Sequence, residues 1–130
     1  MILITGGRGQ GKTEYALHTF QFSEAELTDG ALCAPEAALS ARCITAYHAL
    51  VRRLLADGRD PLAFTEHLCA ENPDAVILLD EIGCGIVPLE KNDRILREQT
   101  GRCGCILAAR AETVIRMVCG IPAAIKGELP

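Results

Sequence analysis

The 130-residue chain has no tryptophan, and its aromatic residues make up only 4%. That leaves little on which single-stranded bases could stack. It also has no basic tract, and its formal net charge is −4. The electrostatic footprint of a nucleic-acid binder is therefore missing, and only ligands that need local positive charge remain. No apolar run reaches the roughly 20 residues of a membrane span. Residues 1–4 are too short for the apolar core of a signal peptide. The seven cysteines are odd in number and no two are spaced C-x-x-C. Reduced thiols in the cytoplasm are the expectation, and Cys103-x-Cys105 is only a weak metal pattern.

What is present is a chain of one-domain length, taken as a single nucleotide-binding domain over 1–130, with 49% apolar residues. A domain of this size buries about two-thirds of its unfolded surface, enough for a core without staples. Its leading motif is Gly6-Gly7-Arg8-Gly9-Gln10-Gly11-Lys12-Thr13, which fits the phosphate-binding P-loop, G-x-x-x-x-G-K-[ST]. The apolar, β-branched residues 1–5 read as a buried strand, and 12–20 read as a helix. Strand, glycine loop and helix are the context the motif needs. Glycines let successive N–H groups turn toward phosphate oxygens, and the helix N-terminus adds partial positive charge. Lys12 is expected to reach the β- and γ-phosphates of ATP or GTP. The Thr13 hydroxyl is expected to ligate Mg²⁺.

Further along, 23–30 reads as an acidic turn and 31–34 as a short strand. Ile44, Tyr47, Val51, Leu54 and Leu55 recur at helical spacing, with Gly58 as the stop. Asp60-Pro61 opens the next helix as N-cap and first residue, and Asn72-Pro73 ends it. The continuous apolar run 75–79 suits a central parallel strand covered on both faces. It closes in Asp80-Glu81, the pattern of a Walker B strand. In a doubly wound sheet this places an acidic residue beside the P-loop. Asp80 is expected to hold Mg²⁺ directly or through water, and Glu81 to orient or deprotonate an attacking group. Residues 83–88 read as a loop, 91–110 as a helix, and 113–119 as the last strand before a short tail. The expected architecture is the three-layer α/β/α fold of P-loop NTPases with a mostly parallel sheet.

The second half adds a resemblance. Asp80-Glu81-Ile82-Gly83-Cys84-Gly85-Ile86-Val87-Pro88 resembles the N-E-V-G-x-G-I-V-P stretch of the bifunctional adenosylcobinamide kinase / adenosylcobinamide-phosphate guanylyltransferase family. Arg94, Arg97, Gly101-Arg102 and Leu107-Ala108 fall where that family has its arginine-bearing helix. Gly120-Ile121-Pro122 with Lys126 is similar to its G-I-P-x-x-x-K ending, and Ile2 to Gly7 to its I-L-V-T-G-G opening. The resemblance implies phosphorylation of the aminopropanol end of adenosylcobinamide and then GMP transfer through a guanylyl-histidine, both in cobalamin biosynthesis. It implies that Gly6, Gly7, Arg8, Gly9, Gln10, Gly11, Lys12 and Thr13 cradle the triphosphate. Arg94, Arg97 and Arg102 would meet phosphate oxygens or form a solvated helix face. The partners implied are a nucleoside triphosphate and a corrinoid-type small molecule; a homo-oligomer is left open.

This chain departs from the pattern in the middle. The family's histidine-bearing stretch is not recognisable, nor is its extra acid-ended strand, so guanylyl transfer is expected to be weak or absent. His48 is the passable stand-in, and its alternative reading is a boundary histidine without chemistry. Two other functions stay open: a nucleotide-dependent regulator, and a P-loop kinase of another small alcohol.

Overall fold

The computed structural model describes residues 1–83 and 90–130. Six strands form one sheet in the order β2-β3-β4-β1-β5-β6. These are β1 (Ile2–Gly6), β2 (Leu27–Asp29), β3 (Cys43–Thr45), β4 (Val76–Asp80), β5 (Thr113–Val118) and β6 (Ile121–Lys126). All neighbours pair in parallel except β5 and β6. The helices are α1 (Lys12–Phe20), α2 (Tyr47–Ala56), α3 (Pro61–Glu71) and α4 (Lys91–Arg110). The fold is the expected three-layer α/β/α arrangement of P-loop NTPases.

Strand alternation divides the core into two layers. Leu3, Ile77, Leu79 and Val114 point to the layer covered by α2, α3 and α4. Ile4, Val76, Leu78, Ile115 and Met117 point to the thinner layer, where Ala16 of α1 packs. The central strands β1 and β4 are thus covered on both faces, as the apolar run 75–79 predicted. Among the described residues no helix is long and apolar enough to cross a membrane.

Three strand expectations need correction. Residues 31–34 are not a strand; β2 lies earlier, at Leu27–Asp29, inside the stretch read as a turn. Ile44 belongs to β3 rather than to the following helix, which starts at Tyr47. The tail after the last predicted strand forms the antiparallel edge strand β6. Each is short or exposed, and its hydrogen-bond partners lie on a neighbouring strand. The loop read at 83–88 lies outside the described residues except for Gly83.

Candidate functional site

The P-loop leaves β1 through Gly6, whose φ is +144°. A Cβ there would sit 2.5 Å from the backbone oxygen of Met117 on β5, so only glycine lets the two strands approach. Gly9 (φ +74°) and Gly11 (φ +87°) take the left-handed region that glycine enters without penalty. Gly11 is the N-cap of α1 and gives it no side-chain cap. The first-turn N–H groups therefore stay open to an anion. The loop tip is clipped to the β5–β6 turn. The Cys119 N–H donates to Gln10 Oε1 at 2.6 Å, and the Gly120 N–H donates to the Gln10 carbonyl at 3.1 Å.

Lys12 is buried at 7% exposure. Its ammonium donates to the carbonyls of Gly6 (3.1 Å) and Gly7 (2.7 Å) and lies 2.7 Å from Asp80 Oδ1. Three N–H donors thus meet three acceptors. Gly6 and Asp80 are register partners on β1 and β4, so the sheet itself places the carboxylate beside the loop. The other carboxylate oxygen of Asp80 faces His48 Nε2 at 3.8 Å.

His48 arrives in the cleft because its neighbour is anchored. Tyr47 is fully buried, and its hydroxyl shares a 2.8 Å hydrogen bond with Thr65 Oγ1. This fixes the first turn of α2, which starts from a strained Ala46 at φ +48°. Burial is the main influence on the imidazole and lowers its pKa; Asp80 opposes this, while Arg52, Lys12 and Arg8 add to it. Its Nδ1 is buried without a partner among the described residues. The ring is therefore neutral at pH 7, with Nε2 at the cleft.

A cleft of about 430 Å³ joins these groups. Gly9, Gln10, Gly11, Lys12 and Thr13 line one wall, Asp80 the floor, and Asp29, Thr45, Ala46 and His48 the opposite wall. Thr13 and Asp80 share the cleft, and a hydroxyl plus one carboxylate suits Mg²⁺, which keeps most of its waters. Asp29 and Thr45 escaped the sequence reading. They end three-residue strands, too short for a periodic signal, and only the Asp-Gly step at a strand end could have marked Asp29.

Other expected residues lie elsewhere. Glu81 is held by Arg116 in a two-bond pair of 2.9 and 3.0 Å. It lines an apolar cleft under α4 with Leu79, Thr100 and Gly104, not the P-loop cleft. Arg102 is exposed and 3.5 Å from Glu98, one turn away on α4. The Arg97 side chain lies over Gly83, and Arg94 is exposed. None of the three arginines lines the P-loop cleft.

A family model described as cobinamide kinase / cobinamide phosphate guanyltransferase matches residues 44–125, more than half of the chain. The match begins after the P-loop and contains His48, Asp80, Glu81 and Arg102. No curated protein matches the chain.

Proposed function

The chain belongs to the cobinamide kinase / cobinamide phosphate guanyltransferase family, and on that premise we propose that it transfers the terminal phosphoryl group of ATP or GTP to the hydroxyl of adenosylcobinamide. The observation that carries the reading is the convergence of Lys12, Asp80 and His48 in the P-loop cleft. Gly6 to Thr13 would hold the triphosphate through backbone N–H groups and the Lys12 ammonium. Lys12 would exchange its loop carbonyls for phosphate oxygens as the nucleotide enters. Thr13 and Asp80 are the residues that would hold Mg²⁺, which would supply positive charge to offset that of the phosphates. His48 Nε2, on the wall facing the loop, would accept the proton of the acceptor hydroxyl. The acceptor oxygen bonds to the γ-phosphorus as the bond to the β-phosphate oxygen breaks, releasing the nucleoside diphosphate. His48 then gives its proton to solvent.

A second reading rests on the same imidazole. A neutral His48 with Nε2 at the cleft would take GMP from GTP, forming an N–P bond as pyrophosphate leaves. The sequence argued against this half-reaction. The position of His48 favours it.

The test combines binding and turnover. ATP or GTP with Mg²⁺ is expected to raise the melting temperature, by about 2.7 kcal/mol of stability at a hundredfold excess over Kd. Lys12→Ala is expected to lose that shift while its apo form stays folded; an unchanged shift would refute the P-loop assignment. Wild type is expected to move the γ-label of the triphosphate onto adenosylcobinamide. An acid-labile protein adduct from α-labelled GTP, absent in His48→Ala, would establish the second reading. Nucleotide binding without corrinoid binding or phosphorylation would favour a nucleotide-dependent regulator.

A further inference from the structure

The tip of the P-loop is fastened to a part of the molecule outside the phosphoryl-transfer machinery. β5 is the parallel neighbour of β1, so the turn that follows β5 stands beside the loop that follows β1. That turn consists of Cys119 (φ +50°) and Gly120 (φ +77°). Both lie in the left-handed region, the pattern of a tight hairpin turn. The Cys119 N–H donates to Gln10 Oε1 at 2.6 Å, and the Gly120 N–H donates to the Gln10 carbonyl at 3.1 Å. A backbone N–H needs an acceptor, so the oxygen and not the nitrogen of the Gln10 amide faces the turn. One residue further on, a Cβ at Gly11 would lie 3.5 Å from the Gly120 Cα, so loop and turn stand side by side.

The loop needs such a hold from outside. Gly7, Gly9 and Gly11 leave it two side chains, Arg8 and Gln10, and Arg8 is exposed. Glycine loses more conformational freedom on ordering than any other residue. A loop whose N–H groups converge on one anion is therefore costly to form from a mobile one. Lys12 supplies one restraint through the Gly6 and Gly7 carbonyls. It has to leave those carbonyls when it turns to phosphate. Cys119 and Gly120 do not line the nucleotide cleft, so the Gln10 clip can persist after Lys12 has let go.

We propose that Gln10 is a positioning residue of the nucleotide site. Its side-chain oxygen anchors the loop tip to the β5–β6 turn and pre-organises the N–H groups of residues 9–13 for the triphosphate. The side chain itself makes no bond to phosphate. The role rests on the P-loop reading of the site and deepens it. Without the clip the receptive loop is only a fraction of the population, and the apparent affinity falls by that fraction. The ordering cost then has to be met at the moment of binding.

The experiment compares wild type with Gln10→Ala and Gln10→Glu. Affinities for ATP and GTP, each with Mg²⁺, are measured by calorimetry well below the melting temperature. Hydrogen exchange is followed at the Cys119 and Gly120 amides, which sit on an exposed turn and are shielded by their bonds to Gln10. Gln10→Ala is expected to speed exchange at Cys119 and to weaken nucleotide binding about fivefold, the worth of one hydrogen bond. Gln10→Glu keeps an acceptor for the Cys119 N–H. It is expected to keep the slow exchange and to bind nucleotide more tightly than Gln10→Ala. A side chain that donated to phosphate would give the reverse order, because the glutamate adds a repelling charge; that order overturns the proposal. Unchanged affinity in Gln10→Ala also overturns it, whatever the exchange, and leaves the P-loop reading intact. Wild-type protein that binds neither nucleotide refutes the P-loop reading, and this inference falls with it.

Discussion

Replacing Asp80 with asparagine would separate its pairing with Lys12 from the metal role proposed for it. Without nucleotide, Asp80 is the charged partner of an ammonium that is only 7% exposed. Removing one partner of a buried pair costs about 3–5 kcal/mol. Two features lower the figure here. The Asn oxygen can still accept from Lys12, and the Gly6 and Gly7 carbonyls remain in place. Asp80 is also 19% exposed, so its own desolvation is partial. A net loss of about 2 kcal/mol follows, which for a domain of this size lowers Tm by roughly 7 °C. With nucleotide the effects diverge. Metal-free ATP brings its phosphates near an uncompensated carboxylate once Lys12 turns to them, so Asp80→Asn should bind ATP in EDTA at least as well as wild type does. With Mg²⁺ the wild type should gain affinity and the variant should gain little. Thermal melts and calorimetry, each with and without Mg²⁺, read both effects. An apo variant as stable as wild type refutes the ion-pair argument. Equal affinity losses with and without metal would make Asp80 a structural residue only.

Glycine at position 6 should be irreplaceable for a packing reason. Gly6→Ala drives a Cβ to 2.5 Å from the Met117 backbone oxygen, at the end of the β1–β5 pairing next to Thr5 and Arg116. A loss above about 3 kcal/mol in urea unfolding is expected. Gly9→Ala, with open space but a left-handed φ, should cost only about 1–2 kcal/mol, and equal costs would refute the clash. The lowered pKa of His48 makes stability depend on pH. Its contribution is fully present above the ordinary value of 6.5. As pH falls below that value the unfolded chain binds a proton that the folded one refuses. Stability then declines until the lowered folded pKa is passed. Melting curves between about pH 5 and 7.5 should fall less steeply for His48→Gln than for wild type, and identical slopes would contradict the burial argument.

The parts legible in the sequence share a property: each is specified by adjacent residues. The P-loop is eight consecutive residues between a strand and a helix, and backbone geometry requires its glycines whatever surrounds them. The run 75–79 is apolar at every position because both faces of β4 are covered, and Asp80 follows it directly. Those two segments pointed to the α/β fold class and to the glycine loop between β1 and α1. Asp60-Pro61 likewise announced α3, where Asp60 Oδ1 accepts from the Leu62 and Ala63 N–H groups.

Everything that depends on distant partners had to come from the tertiary structure. The strands β2 and β3 have three residues each, and their ladder hydrogen bonds come from neighbours far along the chain. Asp29, Thr45 and Asp80 meet because parallel strands end at the same edge of the sheet. Glu81 follows Asp80 in sequence but takes the opposite side of the strand, where Arg116 of β5 holds it. His48 read as a boundary residue of an amphipathic helix, since periodicity records which face of a helix is apolar but not what stands across from its polar edge. The contact with Asp80 depends on how α2 is anchored by Tyr47 and Thr65, an arrangement written in packing between helices and invisible to any local pattern.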